Sequence, residues 1–266
     1  MEVRIREVSK TWGLETGEAI AALESFTHTF PSHRFSCLLG PSGCGKSTLL
    51  QMIAGLTPFS SGDIDVADPE SGQRAALGAS SVTVWQNFNL FPWLNVIDNI
   101  AFGLKMEGIG QDDRYRRARG YIDFVGLRGF ETKLPRQLSG GMKQRVGLAR
   151  ALIKDPDILL MDEPFGALDA QTKFIMQEEV QRLYLQTRKT IIFVTHAIDE
   201  SILLADEVVV MTARPGCVKA TIPIDLARPR SLEDVNSSEF GILFDEIYHL
   251  IKEEVDKTIG MEMAVP

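Results

Sequence analysis

The sequence predicts an α/β protein built on a largely parallel sheet. Three observations carry that reading. Short runs of continuous apolar residues recur along the chain, longer stretches with helical spacing separate them, and the first run leads into a glycine-rich turn and a helix.

The apolar runs fall at residues 35–39, 82–85, 158–161, 190–194 and 208–211. Unbroken apolar character suits central strands covered on both faces. Residues 48–54, behind the first run, read as a helix. The segment at about 87–157 has a different texture, with several candidate helices and no convincing strand, and reads as a helical subdomain inserted between strands. Its charged run Gln111-Asp112-Asp113-Arg114-Tyr115-Arg116-Arg117-Ala118-Arg119 interleaves acids with bases, as a solvated helix face does. Near the end, Phe240, Leu243, Phe244, Ile247, Leu250, Ile251 and Val255 recur at helical spacing. The acids Asp245, Glu246, Glu253 and Glu254 between them do not make the basic face of a membrane-surface helix, so packing on the body is expected. The division is a body over 1–225, including the helical insertion, and an extension over 226–266 with one amphipathic helix.

Composition narrows the function classes. Hydrophobic residues at 44% and charged residues at 24% argue against disorder. The charge sum, 28 − 36 = −8, does not supply the broad basic face that nucleic-acid binding uses. No apolar run approaches the roughly 18 residues that span a bilayer. The start, Met1-Glu2-Val3-Arg4-Ile5-Arg6-Glu7, has no signal-peptide core, so a cytoplasmic protein is expected. Cys37, Cys44 and Cys217 have no paired spacing, which supports neither a disulfide framework nor a zinc site.

The chemistry is concentrated in three places. Gly40-Pro41-Ser42-Gly43-Cys44-Gly45-Lys46-Ser47 satisfies G-x-x-x-x-G-K-[ST] directly after the first apolar run, and Thr48 continues into the helix. Glycines let the backbone curl and aim successive N–H groups at phosphate oxygens, and the helix start adds its positive end. Lys46 suits the β- and γ-phosphates, and the Ser47 hydroxyl suits magnesium. Second, the run at 158–161 delivers Asp162 and Glu163 at the end of a strand, where ligands collect in open α/β sheets. Strand neighbours point opposite ways, so the two acids take different parts: Asp162 on the metal, Glu163 on the attacking water. Third, Leu138-Ser139-Gly140-Gly141-Met142-Lys143-Gln144 precedes a helix with Val146, Ala149, Leu152 and Ile153 on one face. Its free N–H groups and the Ser139 hydroxyl make another anion cradle.

With the two nucleotide motifs, this L-S-G-G-x-x-Q sequence resembles the ATP-binding subunits of ABC transporters, over about residues 3–255. The resemblance implies a P-loop NTPase fold with a RecA-like core, a small antiparallel β subdomain and the inserted helices. It also implies a head-to-tail homodimer in which Ser139, Gly140, Gly141 and Gln144 of one copy close on ATP held by the other. Gln86 matches the glutamine that contacts magnesium and the attacking water. Ala167-Leu168-Asp169 matches the loop that crosses to the partner's site, and His196 the histidine that contacts the γ-phosphate. Trp12 stands where the family stacks an aromatic on adenine. His33-Arg34 and Ser201 depart from the family's usual residues at positions away from the chemistry.

Asn87-Phe88-Asn89-Leu90-Phe91-Pro92-Trp93-Leu94 is apolar for a loop, and is either core or a partner surface. Leu90-Phe91-Pro92-Trp93-Leu94, Asp98-Asn99 and Ala213-Arg214-Pro215-Gly216 look like the nitrate/sulfonate/taurine importer branch, where this region receives a permease. The function implied is a magnesium-dependent ATPase motor on the cytoplasmic face of the inner membrane. It would be peripheral through transmembrane permease subunits and served by an external solute-binding protein. Three rivals are an ABC-type ATPase of translation or DNA repair, a nucleotide-gated assembly module, and a P-loop kinase, which leaves Ser139–Gly141 unexplained. Cys44, inside the phosphate turn, is expected to be alkylated with loss of activity and shielded by nucleotide.

Overall fold

The structure is a computed structural model that describes residues 1–13, 19–86, 89–166 and 168–263. Its strands, in chain order, are β1 (Glu2–Trp12), β2 (Ile20–Phe30), β3 (Phe35–Leu39), β4 (Ser61–Ala67) and β5 (Arg74–Ala75), then β6 (Ser81–Val84), β7 (Ile158–Asp162), β8 (Thr190–Thr195), β9 (Glu207–Met211) and β10 (Val218–Pro223). They form two sheets, one ordered β10-β9-β3-β8-β7-β6 and one ordered β2-β1-β4-β5. In the larger sheet every neighbouring pair from β9 to β6 is parallel, and β10 adds an antiparallel edge.

Strands β3, β7, β8 and β9 are buried at every residue, as their unbroken apolar runs demand. The period of two sends alternate side chains into two clusters. On one face Phe35, Cys37, Leu39, Met161 and Phe193 pack with α5 (Ala170–Thr187), α6 (Ile198–Leu204) and α7 (Ser238–Met263). On the other, Leu38, Leu160, Ile192 and Val209 join α1 (Lys46–Ile53) and the inner residues Val3, Ile5, Phe26 and Phe30 of the smaller sheet. The helix behind the phosphate turn is thus gripped by residues of both sheets.

The five runs read from sequence are the five parallel strands, each with its ends within one residue of the run. The smaller sheet carries no such run. Its alternation is broken by register shifts in β1 and by left-handed residues at Glu7 (φ +50) and Ser25 (φ +47).

Among the described residues of 87–157 there is no strand, and α2 (Val96–Met106), α3 (Gln111–Phe124) and α4 (Gly140–Leu152) share their own apolar cluster. Helix α4 also reaches the sheet through Leu148, Ala151 and Leu152, which makes it the mechanical link between the two. In the charged run, Arg116 pairs with Asp113, while Arg114 and Arg117 donate to the Ile109 and Ile153 carbonyls.

The last helix packs on the body. Phe240 and Ile247 of α7 are buried in the cluster over β3 and β9. Ahead of it, the Arg230 guanidinium is 3% exposed and donates to the carbonyls of Ile202, Ala205, Ile224 and Leu226, stapling the segment to α6 and β10. Burial lowers its pKa to about 10. Truncating Ile247 to alanine is expected to cost about 2–5 kcal/mol in chemical denaturation, the range for deleting a buried branched side chain. A loss below about 0.5 kcal/mol would contradict the place of α7 in the core.

Candidate functional site

The register of the parallel sheet brings the functional residues to one edge. Leu39 pairs with both Thr195 and Val210, Asp162 with Val194, and Val84 with Met161, so the carboxyl ends of five strands finish in one row. The loops that carry Lys46, Gln86, Glu163 and His196 begin there.

Between β3 and α1 the chain turns through Gly40, Pro41, Ser42, Gly43, Cys44 and Gly45. Gly43 (φ +75) and Gly45 (φ +102) hold left-handed backbone, and a Cβ on Gly45 would lie 2.8 Å from both the Ala22 carbonyl oxygen and Leu23 Cδ2. Glycine is required there by conformation and by space. Lys46 Nζ is buried and donates to the carbonyls of Gly40 (2.7 Å) and Pro41 (2.9 Å). Its charge is therefore held within the turn.

The Ser47 hydroxyl donates to Asp162 Oδ1 at 3.0 Å. Burial pushes the Asp162 carboxyl above its usual range against the Ser47 hydrogen bond and Lys46, and the nearby Glu163 charge adds to the rise. Glu163, at φ +44, anchors its N–H on the Val194 carbonyl at 3.0 Å. Its Oε2 lies 3.2 Å from His196 Nδ1 and accepts from Gln86 Nε2 at 3.4 Å. Three residues from three strand ends thus meet at one carboxylate. His196 is set from behind: the Thr195 hydroxyl donates to buried Glu200, and the Ala197 N–H donates to Thr195 Oγ1 at 3.1 Å.

A cleft of about 700 Å³ opens over the turn, lined by Ser42, Gly43, Gly45, Lys46, Ser47 and Thr48, with Gln86 and Glu163 on one side. Trp12, Ile20 and Ala22 of the smaller sheet line it too, and Trp12 is 42% exposed. Lys10 Nζ lies 4.4 Å from the centre of the Trp12 ring.

The serine–glycine helix tip stands apart. Ser139 caps α4, its Oγ accepting from the Met142 N–H at 3.3 Å, and Ser139 and Gly140 are exposed. A Cβ on Gly141 would lie 3.0 Å from Thr172 Cγ2, so glycine lets this tip abut the start of α5. Asp169 caps α5 by accepting from the Thr172 N–H (3.0 Å) and hydroxyl (2.7 Å), bonds that hold its carboxyl below the usual range. None of Ser139, Gly140, Gly141, Gln144 or Asp169 lines the cleft. Gln144 is 3% exposed, and its Oε1 has no hydrogen-bond partner. Ala167, Asn87 and Phe88, named by the sequence reading, lie outside the described residues.

Of the apolar loop, Trp93 is 72% exposed, while buried Asn99 donates to the Phe91, Leu94 and Asn95 carbonyls and fixes the loop's shape. The aromatic is displayed on the surface and its support is core.

Two contacts around the site escaped the sequence reading. Glu200 is buried among Thr195, Gln177 and Lys173, with no local pattern to mark it. Arg214 follows β9 at the same sheet edge, lines the cleft, and donates from Nε to the Gly43 carbonyl at 3.1 Å. The available signal was a cation just beyond an apolar run, where ligand-binding loops start.

A glycine-rich phosphate turn, a hydrogen-bonded Ser–Asp pair and a glutamate at adjoining strand ends define a P-loop nucleotide-binding fold. The separate exposed serine–glycine helix tip narrows that class. Residues 23–166 match the family model for ABC transporters. The chain is 43% identical over 251 residues to the taurine import ATP-binding protein TauB of Burkholderia thailandensis, covering 94% of this chain and 95% of that one. It is 39% identical over 259 residues to the nitrate import ATP-binding protein NrtD of Synechocystis, covering 95% and 96%. Among solved structures, the dimeric post-hydrolysis state of the ATP-binding cassette MJ0796 bound to ADP and Pi superimposes with a TM-score of 0.74 at 27% identity, over 85% of this chain and 100% of that one. The protein belongs to the ABC transporter family and has the fold of its ATP-binding cassettes.

Cys44 qualifies the labelling expectation. It is 1% exposed, and burial raises its thiol pKa, although Lys46 opposes the rise. Iodoacetamide labelling of the nucleotide-free protein, mapped by mass spectrometry, should therefore modify partly exposed Cys217 well before Cys44. Equal or faster modification of Cys44 would contradict its burial.

Proposed function

We propose that this chain is the ATP-hydrolysing motor subunit of a membrane importer for a small solute such as nitrate, taurine or another sulfonate. The observation that carries the proposal is the Glu163 carboxylate beside the phosphate turn, held between Gln86 and His196. The names of the relatives support the importer class. Among the described residues no helix is long and apolar enough to cross a membrane, in keeping with a peripheral subunit on the cytoplasmic face.

The roles follow from position. Trp12 receives the adenine, and the turn from Gly40 to Thr48 receives the phosphates. Lys46 exchanges its two carbonyl partners for β- and γ-phosphate oxygens. Ser47 and Asp162 present two adjacent oxygens, the donors a hard divalent cation prefers, so they would hold magnesium with Gln86 close by. Magnesium, when bound, neutralises charge on the phosphate oxygens. Glu163 accepts the proton of the attacking water as its oxygen bonds to the γ-phosphorus and the bond to ADP breaks. His196 turns from Glu163 to the γ-phosphate.

The signature tip, Ser139 to Gly141, meets the phosphates of a second copy in a head-to-tail homodimer, with Asp169 beside it. Closure excludes water and strengthens every charge at the site. The Trp93 surface receives a permease subunit, which an external solute-binding protein serves. Residues 1–225 form the ATPase body, with its helical insertion at about 87–157, and 226–266 an extension packed on it.

Glu163→Gln tests the proposal. It should lower steady-state phosphate release by the permease-bound protein on the order of a hundred- to ten-thousandfold, with ATP still bound. Turnover near that of the wild type would remove Glu163 from the reaction.

A further inference from the structure

Glu254 of α7 is 1% exposed, far from the cleft in sequence, and is held by three donors. Its Oε2 accepts from the Ala213 N–H at 2.9 Å, and its Oε1 from Lys219 Nζ (2.8 Å) and Lys257 Nζ (2.7 Å). Burial works against its ionisation, yet these partners bring its pKa down to about 2. The residue after Ala213 is Arg214, whose Nε donates to the Gly43 carbonyl at 3.1 Å.

Two residues on, Gly216 donates to the Ala22 carbonyl (3.0 Å), and its own carbonyl accepts from the Glu24 N–H (3.1 Å). A Cβ on Gly216 would lie 1.9 Å from the Cys44 carbonyl oxygen. The loop after β9 therefore touches the phosphate turn at two consecutive residues, Gly43 and Cys44. It is fastened to β2 on one side and to α7 on the other.

We propose that α7 sets how firmly the phosphate turn holds nucleotide, by a relay from Glu254 through Ala213 and Arg214 to Gly43. The inference rests on the nucleotide-binding reading above. A glycine-rich turn has many accessible peptide orientations, and a receptive turn needs one of them. Because the peptide unit is planar, a donor on the Gly43 carbonyl fixes the whole Gly43–Cys44 plane in mid-turn. Glu254 fixes the Thr212–Ala213 peptide, one residue before the Arg214 that reaches that carbonyl. Strand β9 flanks β3 on the side away from β8 and β7, so the relay meets the turn opposite Glu163 and His196. It acts on holding nucleotide, and the hydrolytic carboxylate lies outside it. Arg214 and Glu254 are positioning residues.

Calorimetric titration of the full chain with ADP and magnesium tests the relay. Arg214→Ala and Glu254→Ala should each weaken ADP binding roughly three- to tenfold, the worth of one lost hydrogen bond. Arg214→Lys, which keeps a donor, should lose less. The double variant should bind no more weakly than the weaker single, because both break one path. For Glu254→Ala in the permease complex, KM for ATP should rise while kcat stays within about twofold, a split that general loss of structure does not produce. Should Glu254→Ala fail to fold, the isosteric Glu254→Gln replaces it. Single variants that bind ADP as wild type does, or losses that add in the double, overturn the relay. Wild-type protein that binds no ADP would instead overturn the nucleotide-binding reading.

Discussion

The parallel pairing of β9, β3, β8, β7 and β6 is the constraint on which the site depends. A parallel ladder in fixed register ends its strands together, and here it ends them at Met211, Leu39, Thr195, Asp162 and Val84. A slip of one residue would reverse every side chain on a strand, burying what must face the ligand and moving Phe35 or Leu160 to the wrong cluster. Burial on both faces makes that slip prohibitive. Glu163 can therefore lie 3.2 Å from His196 although 33 residues separate them in sequence.

A second constraint is electrostatic. Lys46 and Asp162 are both buried near the strand ends, and they do not form an ion pair with each other. The lysine rests on backbone carbonyls and the aspartate on a serine hydroxyl. Buried charges with partial partners are costly where stability alone is concerned. A buried lysine charge inside a glycine-rich turn suits the binding of nucleotide phosphates. The glycines serve the same end, since Gly43 and Gly45 hold backbone conformations that other residues adopt only with strain.

The legible parts of this molecule were those with local causes. Central strands announce themselves by unbroken apolar runs, and the phosphate turn, the Asp162–Glu163 pair and the serine–glycine helix start each lie within a few consecutive residues. β1 and β2 were not readable from periodicity, because bulges at Glu7 and Ser25 break the alternation a strand displays. The contacts of Arg214, Glu200 and Glu254 were missed for a different reason. They run across 171, 5 and 41 residues of sequence, made with a backbone carbonyl, a hydroxyl and a backbone N–H that no pattern encodes.

Within one chain the serine–glycine tip does not line the cleft. The central claim is that a second copy supplies it. Mixing Lys46→Ala protein with Ser139→Arg protein, each defective in both sites of its own dimer, creates a mixed dimer with one wholly intact site. Phosphate release by the permease complex assembled from the mixture should exceed that of either variant alone. A mixture as inactive as its parents despite mixed-dimer formation, or full activity from Ser139→Arg alone, would contradict the claim.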